Sequence, residues 1–151
     1  MTVHDYIVIY YETFKYIEKE YGVDNVKELW STISGQWCTH LRELIKSKGL
    51  EGMLQYWGGN KGTLGREKAD FEVSLCDGIF KIDMTRCPSV WELRERKREI
   101  YKGKLNYCDH CPALYPPIAR GYGFKMITEI DYDDNGECAG SCRLISFRSE
   151  E

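Results

Sequence analysis

At Asp70 the spacing of apolar residues changes, and that change limits the folds open to the chain. Before it, Ile7, Tyr10, Tyr11, Phe14, Ile17 and Tyr21 recur at helical spacing up to Gly22. Val26, Leu29, Trp30, Ile33, Trp37, Leu41, Leu44 and Ile45 then carry a second stripe to Gly49. After it, Phe71, Val73 and Leu75 alternate with polar neighbours, Asp77-Gly78 intervenes, and Phe80, Ile82 and Met84 alternate again. A period near 3.6 buries one face of a helix, whereas a period of two buries one face of a strand. Asp-Gly between two alternating runs is a strong signal for a tight hairpin.

Two long helices are therefore expected first, the second capped by Asp24. A short helical turn through Leu50, Met53, Leu54 and Trp57 leads into the glycine-rich loop "GGNKGTLG", Gly58 to Gly65. That loop lacks the preceding strand and the Lys-Ser or Lys-Thr pair of a phosphate-binding loop, and is read as a flap. Cys87-Pro88 closes the hairpin and opens a helix bearing Val90, Trp91 and Leu93. "YCDHCPALYPPIARGYGF" begins another, with Asp109 as cap and Pro116 and Pro117 expected to kink or split it. Phe124–Ile130 and Cys142–Arg148 read as a second hairpin around the acidic turn "DYDDNGE". The expectation is an α+β fold in the order ααββααββ, with an antiparallel sheet of about four strands from two hairpins, covered by helices.

The chain has 151 residues, 42% hydrophobic and 13% aromatic, which suits one domain spanning residues 1–151 with ample core. A net charge of -3 argues against a nucleic-acid groove, which needs clustered excess cations. The basic run "RERKRE", Arg94 to Glu99, is interleaved with glutamates and reads as a solvated helix face. The N-terminal stretch has neither a basic start nor a small-residue cleavage site, and charges interrupt its apolar run, so a cytoplasmic protein without a membrane span is expected. In a reducing compartment the seven cysteines are read as ligands, reactive thiols or packing residues rather than as disulfides.

Cys38 and Cys76 are taken as packing thiols. Cys87, Cys108, Cys111, Cys138 and Cys142 fall near element ends, and three chemistries compete for them. Cys87, Cys108 and Cys111 with His110 or Cys142 have the composition of a structural zinc site, and four thiols can also hold an iron-sulfur cluster. Cys87 and Cys108 precede helices, whose N-termini favour a thiolate, with Asp109 and His110 as potential orienting carboxylate and base. Arg143 is then a candidate anchor for a substrate carboxylate. A thioredoxin-like redox pair is the third reading, but its βαβ context is missing. His4 and His40 are read as surface or core-edge residues.

The segments "RCPSVWEL", "YCDHCPALYPPIARGYGF" and "GSCRLISF" together resemble the L-2-amino-thiazoline-4-carboxylic acid hydrolase family of short bacterial proteins, over roughly Phe71 to Phe147. The resemblance implies hydrolytic opening of a cyclic amidine in a small carboxylate-bearing heterocycle, giving a carbamoyl amino acid without a nucleotide. The matching positions are Cys87, Cys108, Asp109, His110, Cys111, Cys142 and Arg143. The element order also looks like small-ligand-sensing domains related to vinyl-reductase accessory proteins, which implies a non-catalytic module with an apolar pocket and a cysteine-bound metal.

Overall fold

The computed structural model describes residues 2–59, 62–96 and 103–150. Lys97–Glu99 of the basic run, Asn60 and Lys61 of the glycine-rich loop, and Tyr101 and Lys102 lie outside the described residues. Helix α1 (Val3–Tyr21) opens with a reciprocal cap between Thr2 and Asp5 and stops at Gly22, whose φ of 91° suits glycine. Helix α2 (Val23–Gln36) follows with Gly22 rather than Asp24 at its cap; Asp24 sits in the first turn.

The second expected helix is two. Helix α2 ends before Trp37, which is 73% exposed instead of continuing the buried stripe, and α3 (Thr39–Lys48) restarts after Cys38. The break is held by Arg42, whose guanidinium donates to the carbonyl of Ser34 in the last turn of α2. Helix α4 (Leu50–Trp57) then packs so closely on α3 that a Cβ at Gly52 would lie 2.1 Å from the Leu44 carbonyl oxygen. A short α5 (Thr63–Arg66) takes up the end of the glycine-rich stretch, so the loop is shorter than its composition suggested.

Strands β1 (Asp70–Cys76) and β2 (Ile79–Arg86) form the expected hairpin, with Asp77 and Gly78 at φ 49° and 73° as a mirror-image turn requires. Helix α6 (Pro88–Glu95) has Cys87 at its cap and Pro88 in its first turn. A turn of 3₁₀ helix (Tyr107–Asp109) leads into α7 (His110–Arg120), which runs unbroken through Pro116 and Pro117. Its buried face is clamped against α2, where the buried Ser34 hydroxyl donates to the Leu114 carbonyl at 2.8 Å, a local hydrogen bond from outside the helix beside the prolines.

Strands β3 (Phe124–Tyr132) and β4 (Cys138–Arg148) complete a four-stranded antiparallel sheet in the order β1-β2-β4-β3. The α+β class and the antiparallel sheet of two hairpins stand. The order is richer than ααββααββ, because five helices precede β1.

Period two assigns the sheet faces. Phe80, Ile82 and Met84 of β2 pair with Ser146, Leu144 and Cys142 of β4 and point toward the helices. One core cluster joins α1, α2, α6 and α7 around Phe14, Val26 and Trp30; the other joins the sheet to α3, α4 and α7 around Phe80, Met53 and Ile118. Cys87 and Tyr115 pack against both. No helix among the described residues is long and apolar enough to cross a membrane.

Candidate functional site

Where the two core clusters meet there is a cavity of about 120 Å³. Water takes about 30 Å³ per molecule in the liquid, so this is room for about four waters or one compact organic molecule. Trp57, Leu64, Ile82, Met84, Ile130 and Leu144 give it apolar walls. Cys87, Cys108, Cys111 and Cys142 all line it, with His110. The fold thus brings together four thiols that are 21 to 55 residues apart or close neighbours in sequence. Their meeting depends on the Met84–Cys142 register of β2 and β4 and on α7 lying across the sheet.

Cys111 and His110 form a thiol–imidazole pair at the site. His110 Nδ1 faces the Tyr107 carbonyl at 2.5 Å, and its Nε2 lies 3.5 Å from Cys111 Sγ. The carbonyl can only accept, so Nδ1 carries the proton and Nε2 is left as an acceptor for the thiol. Edge-on contacts with Tyr10 at 5.4 Å and Tyr107 at 4.7 Å hold the imidazole plane. Burial disfavours both charged forms: it pushes the Cys111 thiol well above its ordinary value, with the neighbouring Cys87 and Cys142 adding to the rise, and lowers His110 to about 4. The resting pair is a neutral thiol on a neutral imidazole.

The other thiols differ in setting. Cys87 caps α6, and the amides of Val90 and Ser89 favour its thiolate, but burial outweighs them and the net shift is upward. Burial likewise raises Cys142 to about 12. Cys108 is in contact with Cys138, which lies wholly buried behind the cavity wall and accepts the Cys108 amide at 3.3 Å. That contact shifts the pair in opposite directions, Cys108 up and Cys138 down. Cys142 lies within β4 rather than at its end. Cys38 is half-buried at the cap of α3, and Cys76, expected to be a packing thiol, is exposed because it falls on the outer face of β1.

Two predicted site residues are not with the thiols. Asp109 does not orient His110: its carboxylate accepts from the Asn106 amide at 2.6 Å and the Tyr132 hydroxyl at 2.8 Å, tying the 3₁₀ turn to β3. Arg143 is on the opposite face of the sheet, as alternation from the inward Cys142 and Leu144 requires. It is cross-strand neighbour to Asp83 and Glu129, with nitrogen–oxygen distances of 3.8 and 3.5 Å. It is therefore no carboxylate anchor for this cavity.

Metal binding needs donors that converge, and among the described residues no three His, Cys, Asp or Glu side chains are placed to hold an ion. The four cavity thiols share walls without forming a ligand set, and the zinc or iron-sulfur expectation gains no support from the geometry.

Glu67, Thr128, Tyr107 and Tyr115, which also line the cavity, were not singled out in the sequence. Glu67 follows a glycine-rich stretch as a lone acid, and Thr128 sits in an ordinary alternating strand; neither carries a local signal. Tyr115 and Tyr107 lie beside the cysteines, and aromatic residues flanking a reactive pair were the one available hint. Compared with known family models, curated proteins and solved structures, the chain matches none.

Proposed function

We propose that the protein is a thiol-dependent hydrolase acting at the central carbon of a small amidine, with Cys111 as nucleophile and His110 as its base. Ring opening of a thiazoline-type acid is the reaction of this class that the sequence resemblance implies. The observation that carries the proposal is the Cys111 Sγ to His110 Nε2 approach of 3.5 Å, with the imidazole oriented from behind by the Tyr107 carbonyl, in the wall of a ligand-sized cavity. Nucleophile, base and orienting group are the three parts that activated-nucleophile chemistry needs.

Cys111 Sγ bonds to the amidine carbon as its proton passes to His110 Nε2. The ring bond from that carbon to its heteroatom breaks, and the heteroatom takes the proton. Water then adds to the same carbon through His110, the carbon–sulfur bond breaks, and Cys111 regains its proton. One water is consumed, and the product is an open-chain carbamoyl compound. Neutral resting partners suit this chemistry, since charge separation develops only with substrate in place.

The test is turnover of cyclic amidines, with 2-amino-thiazoline-4-carboxylate among them, followed by carbamoyl product release. Activity in the wild-type protein and none in Cys111→Ser supports the proposal; equal activity in both refutes it.

A second reading has an observation of its own. The upward shift of every cavity thiol, with apolar walls around them, also suits a binding module that holds a small ligand without reacting. That reading predicts saturable binding with no product from any amidine tested.

A further inference from the structure

The cavity is lined by a carboxyl group that no described residue pairs. Glu67, at the end of α5, is half-buried and lines the same cavity as Cys111 and His110; its backbone N–H donates to the Thr63 carbonyl, but its carboxyl has no hydrogen bond or ion pair with any described residue. A carboxylate facing apolar walls is costly unless a partner arrives. Burial, the larger influence, pushes the Glu67 carboxyl up against the opposing pull of Arg66 and His4. A second polar group is similarly stranded: the Thr128 hydroxyl on β3 is buried, lines the cavity and has no hydrogen-bond partner. Buried hydroxyls are nearly always satisfied, so the orphaned Thr128 hydroxyl and a half-buried, unpaired carboxyl in one ligand-sized space mark what an occupant supplies.

The charge of the walls points the same way. Among the described residues lining the cavity there is no lysine or arginine, and Arg143 is engaged on the far side of the sheet. An anion would enter without a counter-charge and beside a carboxyl. A cation with several N–H donors would find a carboxylate acceptor, a hydroxyl and the aromatic side chains of Trp57 and Tyr115.

We infer that the cavity is a binding site for a compact organic cation of the amidinium or guanidinium class, with Glu67 as the charge partner that sets this preference and Thr128 as a second acceptor. The inference rests on the hydrolase reading for its substrate class and departs from the resemblance in one respect: the carboxylate of a thiazoline-type acid has no partner here. Glu67 accepts two N–H bonds from the planar cation and so keeps it protonated, and the cation's own charge leaves the carbon that Cys111 attacks electron-poor.

The experiment uses the whole chain and titrates acetamidinium, benzamidinium, benzamide and benzoate by calorimetry. Benzamidinium and benzamide share shape and differ in charge, so their ratio isolates the carboxyl. The expected result is saturable amidinium binding at least tenfold tighter than benzamide, and no benzoate binding. Glu67→Gln, nearly isosteric, is expected to bring benzamidinium level with benzamide, and Thr128→Val to weaken it several-fold, both with wild-type circular dichroism. Cys111→Ser is expected to bind benzamidinium like the wild type, so loss of turnover with retained binding separates the two claims. Benzoate binding as tight as benzamidinium, unchanged affinity in Glu67→Gln, or no saturable amidinium binding at millimolar concentration would each overturn the inference.

Discussion

Cys111 Sγ and His110 Nε2 approach to 3.5 Å although the two residues are neighbours on one helix, where consecutive side chains ordinarily diverge. The pairing is possible because His110 is the first residue of α7, and its imidazole folds back onto the Tyr107 carbonyl of the preceding 3₁₀ turn. The geometry of the turn, more than that of the helix, makes the pair.

Removing the base tests that pair from the imidazole side. General-base assistance contributes about 10²- to 10⁴-fold, so His110→Gln is expected to reduce turnover by about that factor. Binding of an amidinium probe should be little altered, because the imidazole is not its charge partner. Steady-state kinetics and calorimetry on the same variant read the two effects separately.

The pH dependence of stability follows from buried neutral groups. His110 falls from 6.5 to about 4 on folding, so between those values the unfolded chain binds more protons and stability is lost as pH falls. Over the whole window this is worth about 3 kcal/mol at about 1.4 kcal/mol per unit. Cys111 and Cys142 are raised above 9.0, so their contribution is present below that pH and is lost as it rises further. Urea midpoints are expected to be flat from about pH 7 to 8.5 and to fall on both sides, with standard thiol and imidazole values setting the limits. His110→Gln should flatten the limb between pH 6.5 and 5.

Thiol reactivity should run opposite to thiol position. Cys76 is exposed on the outer face of β1, whereas burial raises Cys87, Cys111 and Cys142, contact with Cys138 and then burial raises Cys108, and Cys138, though lowered, is wholly enclosed. Iodoacetamide at neutral pH is expected to modify Cys76 fastest in the native protein, with the cavity thiols reacting much more slowly until the chain is denatured. Peptide mapping over time reads the order, and rapid labelling of Cys87 or Cys142 would contradict it.

The contact of α3 with α4 supports one cavity wall through Trp57. Gly52→Ala would place a methyl group 2.1 Å from the Leu44 carbonyl oxygen, and overpacking of this kind costs about 1–3 kcal/mol. Gly35→Ala, with nothing within 4 Å of the new methyl, should be neutral or stabilising by up to about 1 kcal/mol. Denaturation midpoints of the two variants make the comparison.

The parts of the fold legible in the sequence are those decided locally. Asp77-Gly78 between alternating runs specifies its hairpin because the turn itself demands those residues, and Cys87-Pro88 announces α6 in the same way. The break at Trp37 was hidden, because a tryptophan at helical spacing looks like core until the chain turns away at Cys38. Arg143 was misread because it stood at the expected end of its strand: β4 starts four residues earlier, at Cys138, so Arg143 lies inside it and alternation from the inward Cys142 turns it outward. The grouping of Cys87, Cys108, Cys111 and Cys142 was visible as a pattern, but their shared cavity depends on strand register and on the path of α7. Glu67 had no signal, since its significance lies in the partner it lacks.

The central claim is that Cys111, beside His110 in a cavity that Glu67 also lines, is the reactive group of a cation-selective site. Chloroacetamidine combines an amidinium with an alkylating carbon, and mass spectrometry of its adducts in a Cys76→Ser background tests the claim most directly. The account predicts a single adduct on Cys111, formed faster than with chloroacetamide and slowed by Glu67→Gln. Modification of other thiols with Cys111 left free, or equal rates for the charged and neutral reagents, would contradict it.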